Sequence, residues 1–401
     1  MTTAVRSRAM APVIVALAID MVGTGIFLPV SLLYFIVVAG IPAGTVGICL
    51  TVANLISLPL PLLVGMLVDR IGSRLVVVIG LLLQGAGFLG YLAVRTPFWL
   101  VIAALTVAVG VRFFWSAVFT LVTERSEPER RDHWFGIFGA VQNAGIGVGS
   151  LISAGLVLLG THAAYHFVIV VNGLSFVVAA AVVMLVGQSG NPATHEKEAN
   201  EPSVPLGRNR PYLALIGINT IFALCSVMLG VGVPIYVDLG LHQPGWVTGV
   251  LFAANTVAIA LLQTQVVRWL KGRRRVRIMM FSGILWAGWA VCLALAVRTP
   301  SILVVPLLFV VTAAFTTAEM THGPTSNGLS AGASPVAGRG RYIAAFQYSW
   351  AFANVLAPAL FTQLFAVATI LPWIVIAALA ALAAVAVRAL ERHLPAAALR
   401  T

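Results

Sequence analysis

Residues 93–97 of the chain read AVRTP, and the same five residues recur unchanged at 296–300, 203 positions later. Each copy stands directly before a long apolar stretch, at the same place in its half of the chain. Shorter echoes keep nearly the same offset and pair Gly25 with Gly230, Pro29 with Pro234, Gly72 with Gly272 and Arg74 with Arg274. Such internal repetition predicts two halves built from the same elements in the same order.

The composition of the chain indicates the solvent in which these halves fold. Of 401 residues, 60% are hydrophobic and 9% are charged, and the mean hydropathy is +1.01. Soluble domains are about 45–50% apolar and about 25% charged. A soluble enzyme, a disordered chain and a disulfide scaffold are therefore excluded. One membrane span takes about 20 apolar residues, so twelve spans use about 240 and leave about 160 for loops and ends.

We predict an all-α membrane protein with twelve transmembrane helices. Their predicted positions are 11–38, 44–68, 74–94, 98–122, 136–160, 163–187, 211–237, 245–268, 276–297, 300–330, 342–366 and 369–391. Six spans separate the two copies of the repeat, so both copies run in the same direction through the membrane. We expect two pseudo-symmetric six-helix bundles, residues 1–187 and 211–401, joined by a hydrophilic cytoplasmic linker at 188–210.

The basic residues set the orientation of these spans. With the N-terminus inside, 21 of the 24 Lys and Arg residues lie in inner loops and ends, whereas Arg95 and Arg298 lie outside and Arg112 lies within a span. The positive-inside rule then places both termini in the cytoplasm. The net charge of +12 reflects this topology, and we expect no nucleic-acid partner. Arg outnumbers Lys by 22 to 2, which is typical of a GC-rich bacterial genome and indicates a bacterial inner membrane.

The loop after the second predicted span reads GMLVDRIGSRL at positions 65–75. It resembles the signature loop Gly-x-Leu-x-Asp-Arg-x-Gly-x-Arg of the major facilitator superfamily. Residues 335–342 resemble the loop that enters the eleventh span of the same family. The resemblance implies that the first loop latches the two halves in one conformation and releases them during transport, through Gly65, Asp69, Arg70, Gly72 and Arg74. The alternative is that its charged residues only set topology.

Three ionisable residues lie deep within predicted spans: Asp20 in the first, Arg112 in the fourth and Glu319 in the tenth. Such groups are costly in hydrocarbon and mark pathways or proton relays. At about 1.5 Å per residue, Asp20 and Arg112 lie at similar depths of roughly 14 and 15 Å, so we expect them to form an ion pair. An offset of 207 maps Arg112 onto Glu319, which would let the two face each other from equivalent helices.

We interpret Asp20 as a proton carrier, Arg112 as its modulator and Glu319 as a second titrating or cation-attracting site. Arg112 also resembles the lone arginine in the fourth span of the drug:proton antiporter branch of the family. The alternatives are a structural ion pair for Asp20 and Arg112, and a plain polar role for Glu319. His322, one turn from Glu319, is either a titrating helper or a hydrogen-bonded helix residue.

Candidate residues of a substrate cavity combine aromatic rings with a few amides, a pattern that suits amphipathic organic molecules. They are Tyr34, Phe114, Trp115, Asn143, Phe222, Asn255, Gln347, Trp350 and Asn354. The three cysteines have no metal-ligand spacing, so we expect no metal and no cofactor. No nucleotide-binding loop of the Gly-x-x-x-x-Gly-Lys-Ser/Thr type occurs, so the energy must come from an ion gradient or from the substrate's own gradient.

These patterns predict a proton-coupled secondary transporter that exports hydrophobic or amphipathic drug-like molecules by alternating access. Its partners would be the small-molecule substrate, protons and the lipid bilayer, and we expect it to act as a monomer and not as an enzyme. A first alternative is an importer or facilitator of a nutrient or metabolite on the same fold. A second is a membrane enzyme or sensor that uses twelve helices for another purpose.

Overall fold

A computed structural model of the chain describes residues 3–27, 34–127, 130–157, 161–185, 205–244 and 246–400. These residues are almost entirely helical and contain no β-strand, only one isolated bridge between Arg274 and Arg400. The α-helices, α1 to α14 in chain order, are Thr3–Phe27, Ala43–Ser57, Leu60–Ile71, Ser73–Gly90, Pro97–Arg125, Arg131–Val157, His162–Leu185, Arg210–Ile235, Trp246–Leu270, Arg275–Ala296, Ser301–Ala333, Arg339–Phe346, Tyr348–Val367 and Leu371–Leu390. The predicted all-α class is confirmed.

Within the described residues, eleven helical segments are long and apolar enough to cross a membrane. Helices α2 and α3 supply a twelfth when they are counted as one span, bent by 47° between them. Pro59 lies at this bend. Proline interrupts a helix because it has no backbone N–H to donate and its ring clashes with the preceding turn. The prediction of twelve spans is therefore confirmed, with the second span made of two pieces.

Most predicted span ends agree with the helices to within a few residues where both are described, but α1 begins at Thr3, eight residues before the predicted start at 11. The prediction at 300–330 corresponds to Ser301–Ala333, and the one at 245–268 corresponds to Trp246–Leu270. The eleventh span is interrupted at Gln347, where α12 ends and α13 begins. Most of the predicted linker, residues 188–204, lies outside the described residues.

Contacts along the chain group its residues into two compact units. The first unit consists of Met1–Glu127, Ala140–Ser203 and Pro335–Ala345. The second consists of Pro128–Gly139, Val204–Ser334 and Phe346–Thr401. Helix α6 thus contributes residues 131–139 to the second unit and its remainder to the first.

In the first unit, α1 and α6 pack backbone against backbone at glycines. A Cβ added at Gly149 would lie 2.2 Å from the carbonyl oxygen of Val22, and one added at Gly25 would lie 2.4 Å from that of Ile146. Small residues allow membrane helices to approach this closely. This contact fixes the position of α1, the helix that carries Asp20.

Two π-helical turns, Tyr34–Val38 and Tyr236–Gly240, begin 202 positions apart, one in each half of the sequence. The Tyr34 hydroxyl donates to the carbonyl oxygen of Tyr91 at 3.2 Å, and the Tyr236 hydroxyl donates to that of Leu293 at 2.6 Å. The two acceptors, at positions 91 and 293, are also 202 positions apart. The repeat seen in the sequence thus recurs in the hydrogen bonds.

Candidate functional site

Asp20 lies in α1 and is 2% exposed. Its Oδ1 accepts a 3.4 Å hydrogen bond from the hydroxyl of Thr24, one helical turn away. Within the part of the chain that the structure describes, no basic side chain pairs with this carboxylate. A carboxyl group in such surroundings can be held neutral by a proton and needs no fixed counter-ion.

A second polar group lies close to the same stretch of α1. The side chain of Asn172 on α7 is fully buried, and neither of its amide atoms has a hydrogen-bond partner among the described residues. A Cβ added at Gly23 would lie 3.0 Å from Asn172 Oδ1, so this amide rests against α1 within one turn of Asp20. Buried polar groups are nearly always paired, and an exception calls for an explanation. Sequence analysis missed Asn172, although a lone amide in the sixth apolar stretch was a usable signal.

Arg112 lies on α5 and does not pair with Asp20, so the predicted ion pair is wrong. Its Nε donates to the hydroxyl of Ser57 at 3.4 Å, at the end of α2 and directly before the bend at Pro59. Equal depth along two helices does not fix the direction in which each side chain points around its helix axis, and this is why the prediction failed. Arg112 belongs to the first unit and Glu319 to the second.

Glu319 lies on α11 and is half-buried. Its Oε2 accepts a 3.0 Å hydrogen bond from Nδ2 of Asn255 on α9. Asn255 donates from the same nitrogen to the hydroxyl of Thr316 at 3.0 Å. Among the described residues Glu319 has no basic partner. Asn255 on α9 thus holds a carboxylate on α11 that no cation among the described residues neutralises.

His322, one turn from Glu319, is buried among aromatic rings. Its ring centroid lies 5.2 Å from that of Phe222 and 5.1 Å from that of Trp286. Its Nε2 lies 3.0 Å from Oδ1 of Asn219 on α8. Of the two interpretations of His322, these contacts support the hydrogen-bonded helix residue.

The predicted latch residues make contacts within the first unit. The backbone N–H of Gly340 donates to Oδ1 of Asp69 at 2.9 Å, and Nε of Arg341 lies 3.9 Å from the other carboxylate oxygen. A Cβ added at Gly65 would lie 2.7 Å from Cα of Arg341, so only glycine lets α3 approach this segment so closely. Sequence analysis singled out the loop but missed its backbone donor, Gly340.

The remaining residues of this loop have different surroundings. Gly72 has a φ of +87°, a left-handed conformation that favours glycine, and it separates α3 from α4. Arg74 donates to the carbonyl oxygen of Met184 at the end of α7. Arg70 is exposed. The loop therefore combines one turn glycine, one carboxylate contact and one arginine that ties α4 to α7.

The candidate cavity residues divide between the units and differ in exposure. Tyr34 and Phe222 are fully buried in the packing of their own units, and Phe114 is nearly so. Asn255 is buried beside Glu319, whereas Trp115, Asn143, Gln347 and Trp350 are half-buried and Asn354 is exposed. Nε2 of Gln347, at the break between α12 and α13, is buried and has no hydrogen-bond partner in the described chain. The residues that the structure describes contain no cluster of His, Cys, Asp or Glu suited to a metal ion.

Comparison with known proteins identifies related sequences. The family model described as Major Facilitator Superfamily matches residues 13–358. Multidrug resistance protein MdtH of Edwardsiella ictaluri (strain 93-146) is 25% identical over 66% of this chain, and the aligned part spans 64% of that relative's own length. Tetracycline resistance protein, class E, of Escherichia coli is 25% identical over 75% of both chains.

A solved structure shares the fold at low sequence identity. The crystal structure of a bacterial homologue of the iron transporter ferroportin, in an outward-facing state, aligns with a TM-score of 0.75 at 15% identity. The alignment covers 96% of this chain and 99% of that one. At this identity the likeness concerns the fold alone.

Proposed function

This chain belongs to the Major Facilitator Superfamily, and we propose that it is an exporter of hydrophobic or amphipathic drug-like molecules driven by protons. Two relatives that bear the names of drug-resistance proteins support export as the direction. The observation that carries proton coupling is Asp20, a buried carboxylate that accepts a 3.4 Å hydrogen bond from Thr24 and has no basic partner among the described residues.

In the proposed cycle Asp20 takes up a proton from the outside and releases it to the cytoplasm. Burial makes the charged form costly, so a change in hydration around α1 changes how readily the proton leaves. Asn172, whose amide atoms have no partner among the described residues, is placed to hydrogen-bond the water that brings the proton. Arg112 acts on this exchange from a distance, through Ser57 and the bend of the second span.

Glu319 is the proposed second site, in the other unit. It attracts the cationic group of a substrate or takes up a second proton, since no cation among the described residues neutralises it. Asn255 orients its carboxylate by the 3.0 Å hydrogen bond. Trp350 and Gln347, two half-buried members of the candidate cavity set, would supply an aromatic face and an amide donor for the uncharged part of the substrate.

Alternating access requires that the two halves, which we propose to be residues 1–187 and 211–401, move as bodies about the linker at 188–210. The contact of Asp69 with Gly340 and Arg341 supports a latch role for the loop at 65–75, because it joins residues from opposite halves of the sequence. Release of this contact would accompany each cycle.

The distribution of basic residues supports a bacterial inner-membrane location with both termini in the cytoplasm. A reporter that is active only in the cytoplasm, fused after Thr401, should then be active. A reporter that is active only in the periplasm should be silent at the same position. The opposite result would overturn the proposed orientation.

The proposed function is tested by accumulation of ethidium in a host that lacks its own efflux pumps. Expression of the chain should lower the steady-state dye level, and a proton uncoupler should abolish the difference. Asp20→Asn should abolish uphill export while leaving exchange of dye between the two sides. Asp238→Asn, the same change at an exposed position, is the matched control and should export normally.

Two outcomes would contradict the proposal. Normal uphill export by Asp20→Asn would remove Asp20 from the coupling mechanism. Unchanged accumulation across a broad panel of amphipathic dyes would remove drug export and favour the importer or facilitator alternative.

A further inference from the structure

The C-terminal tail, residues 391–400, is attached to the second unit by specific contacts. Glu391 is 5% exposed and pairs with Arg274 at 2.7 Å and also with Arg388. At the other end of the tail, the backbone of Arg400 forms an isolated β-bridge with that of Arg274. Next to it, the carbonyl oxygen of Leu399 accepts a 2.8 Å hydrogen bond from the backbone N–H of Arg275. Both ends of the tail thus converge on the residues that open α10.

Arg275 also forms a buried ion pair with Asp132 at the start of α6. The side chain of Arg275 is 3% exposed. Its Nε lies 3.1 Å from Oδ2 of Asp132, and its Nη2 lies 3.1 Å from Oδ1. Its Nη1 donates to the carbonyl oxygen of Ala398 in the tail at 2.8 Å. One guanidinium therefore joins the tail and α6.

Arg275 needs the tail for a physical reason. A guanidinium carries five N–H donors in a fixed planar fork, and a buried one requires an acceptor for each side of that fork. Asp132 occupies the side formed by Nε and Nη2, and Ala398 supplies the acceptor on the Nη1 side. Without the tail, Nη1 would lose its protein acceptor, and the orientation of the fork toward Asp132 would no longer be fixed.

Two glycines of α11 let Asp132 and Ala398 pack directly against the backbone of this helix. A Cβ added at Gly328 would lie 1.9 Å from Oδ1 of Asp132, and one added at Gly332 would lie 2.8 Å from Cα of Ala398. These glycines are four residues apart and so lie on the same face of the helix. Ala398 is fully buried on that face. The ion pair and the tail therefore lie along one face of α11.

We infer that the C-terminal tail is a positioning element of the transport cycle: it orients Arg275 toward Asp132 and thereby holds the start of α6 in the second unit. Because α6 contributes residues 131–139 to the second unit and residues 140–157 to the first, this attachment constrains a helix with residues in both units. The link to transport rests on the proposed function, whereas the attachment itself does not.

The test is hydrogen–deuterium exchange of the purified full-length chain and its variants, read at the backbone amides of residues 134–139. A chain that ends at Leu394 should exchange about tenfold faster there, since local opening follows the loss of anchoring contacts. Gly332→Val keeps the whole tail but fills the space against α11 that Ala398 occupies. Arg275→Lys keeps the charge but not the planar guanidinium. Both should reproduce the increase. Arg392→Ala, an exposed tail position, should not.

A double-variant comparison distinguishes positioning from general stabilisation. If the tail acts through Arg275 and Asp132, truncation in an Asp132→Asn background should add little to the exchange that Asp132→Asn alone produces. Unchanged exchange after truncation, or a full further increase in the Asp132→Asn background, would overturn the inference.

Ethidium export provides the functional readout. The truncated chain should export more slowly while its affinity for ethidium, measured by fluorescence anisotropy, stays within about twofold of the full chain. Among the described residues, the hydrogen bonds and ion pairs of the tail involve Arg274, Arg275 and Arg388 and no proposed binding residue. Equal loss of affinity and rate would indicate unfolding of the site and would contradict a positioning role. If the full chain exports no dye of the broad panel, the proposed function fails, and the exchange experiment still decides the attachment.

Discussion

Asp69 and Gly340 lie 271 positions apart in the chain, and the backbone N–H of Gly340 donates a 2.9 Å hydrogen bond to the carboxylate of Asp69. The contact depends on the absence of a side chain at Gly340. A Cβ there would lie 2.6 Å from Oδ1 of Asp69 and 2.7 Å from Cγ1 of Val68. The partner of the signature loop is thus a backbone group whose accessibility is set by a glycine.

Gly340→Ala should therefore impair transport without removing any charge. The added methyl group displaces the Asp69 carboxylate, and hydrogen bonds to charged groups contribute about 1.5–3 kcal/mol, so we expect about a tenfold or larger loss of ethidium export. Initial efflux rates at matched protein levels measure the effect. Gly249→Ala is the control, because a Cβ at that position meets nothing within 4 Å. Equal rates for the two variants would contradict the proposed latch.

Glu319→Gln should separate charged from neutral substrates. Glutamine keeps an oxygen that can accept from Asn255 but carries no charge, so the attraction for a cation is lost while the shape of the site is retained. We expect efflux of ethidium, a permanent cation, to fall about tenfold and efflux of the neutral dye Nile red to change by less than about twofold. Loss of both would favour the titrating role of Glu319 over the cation-attracting role.

Gly149→Ala should destabilise the first unit. The new methyl group would meet the carbonyl oxygen of Val22 at 2.2 Å and the backbone nitrogen of Ile26 at 2.7 Å, and neither atom can rotate away. Overpacking of this kind costs about 1–3 kcal/mol of unfolding free energy. Thermal unfolding in detergent measures it, with Gly139→Ala on the same helix as the control, since its Cβ meets nothing within 4 Å. Equal stability of the two variants would argue against the close approach of α1 and α6.

Tyr34→Phe and Tyr236→Phe should each lower the free energy of unfolding by about 0.5–1.5 kcal/mol, the net contribution of a typical hydrogen bond. Each change removes only the hydroxyl that donates to the carbonyl oxygen of Tyr91 or Leu293. The two tyrosines belong to different units, so the effects should add in the double variant. Thermal or denaturant unfolding checks both statements. An unchanged midpoint for Tyr236→Phe, which breaks the shorter bond, would count against them.

The sequence predicted the fold well because apolar length and the internal repeat depend on local composition. Twelve spans follow from counting apolar stretches, and Ser301–Ala333 differs from its predicted range by only a few residues. The bend at Pro59 also depends on the local sequence, because a proline in the middle of a helical stretch kinks or breaks the helix. These features need no knowledge of which helices are neighbours.

The contacts of the polar residues could not be predicted in the same way. Depth along the membrane suggested an ion pair between Asp20 and Arg112, yet Asp20 bonds to Thr24 and Arg112 to Ser57. Sequence position fixes height, but helix rotation and packing fix the partner. Arg275 shows the same limit, because it stands in a run of arginines that a composition argument assigns to topology, whereas its side chain is buried.

The two tyrosine hydroxyls show how two halves that repeat in sequence can differ in side chains and still share a contact. Each donates to a main-chain carbonyl oxygen, and that oxygen is present whatever side chain the acceptor residue carries. Tyrosine occupies the acceptor position in one half and leucine in the other, yet the bond exists in both. A contact of this kind tolerates any side chain at one of its two ends. Common descent of the halves is therefore better sought in shared main-chain hydrogen bonds than in identical residues.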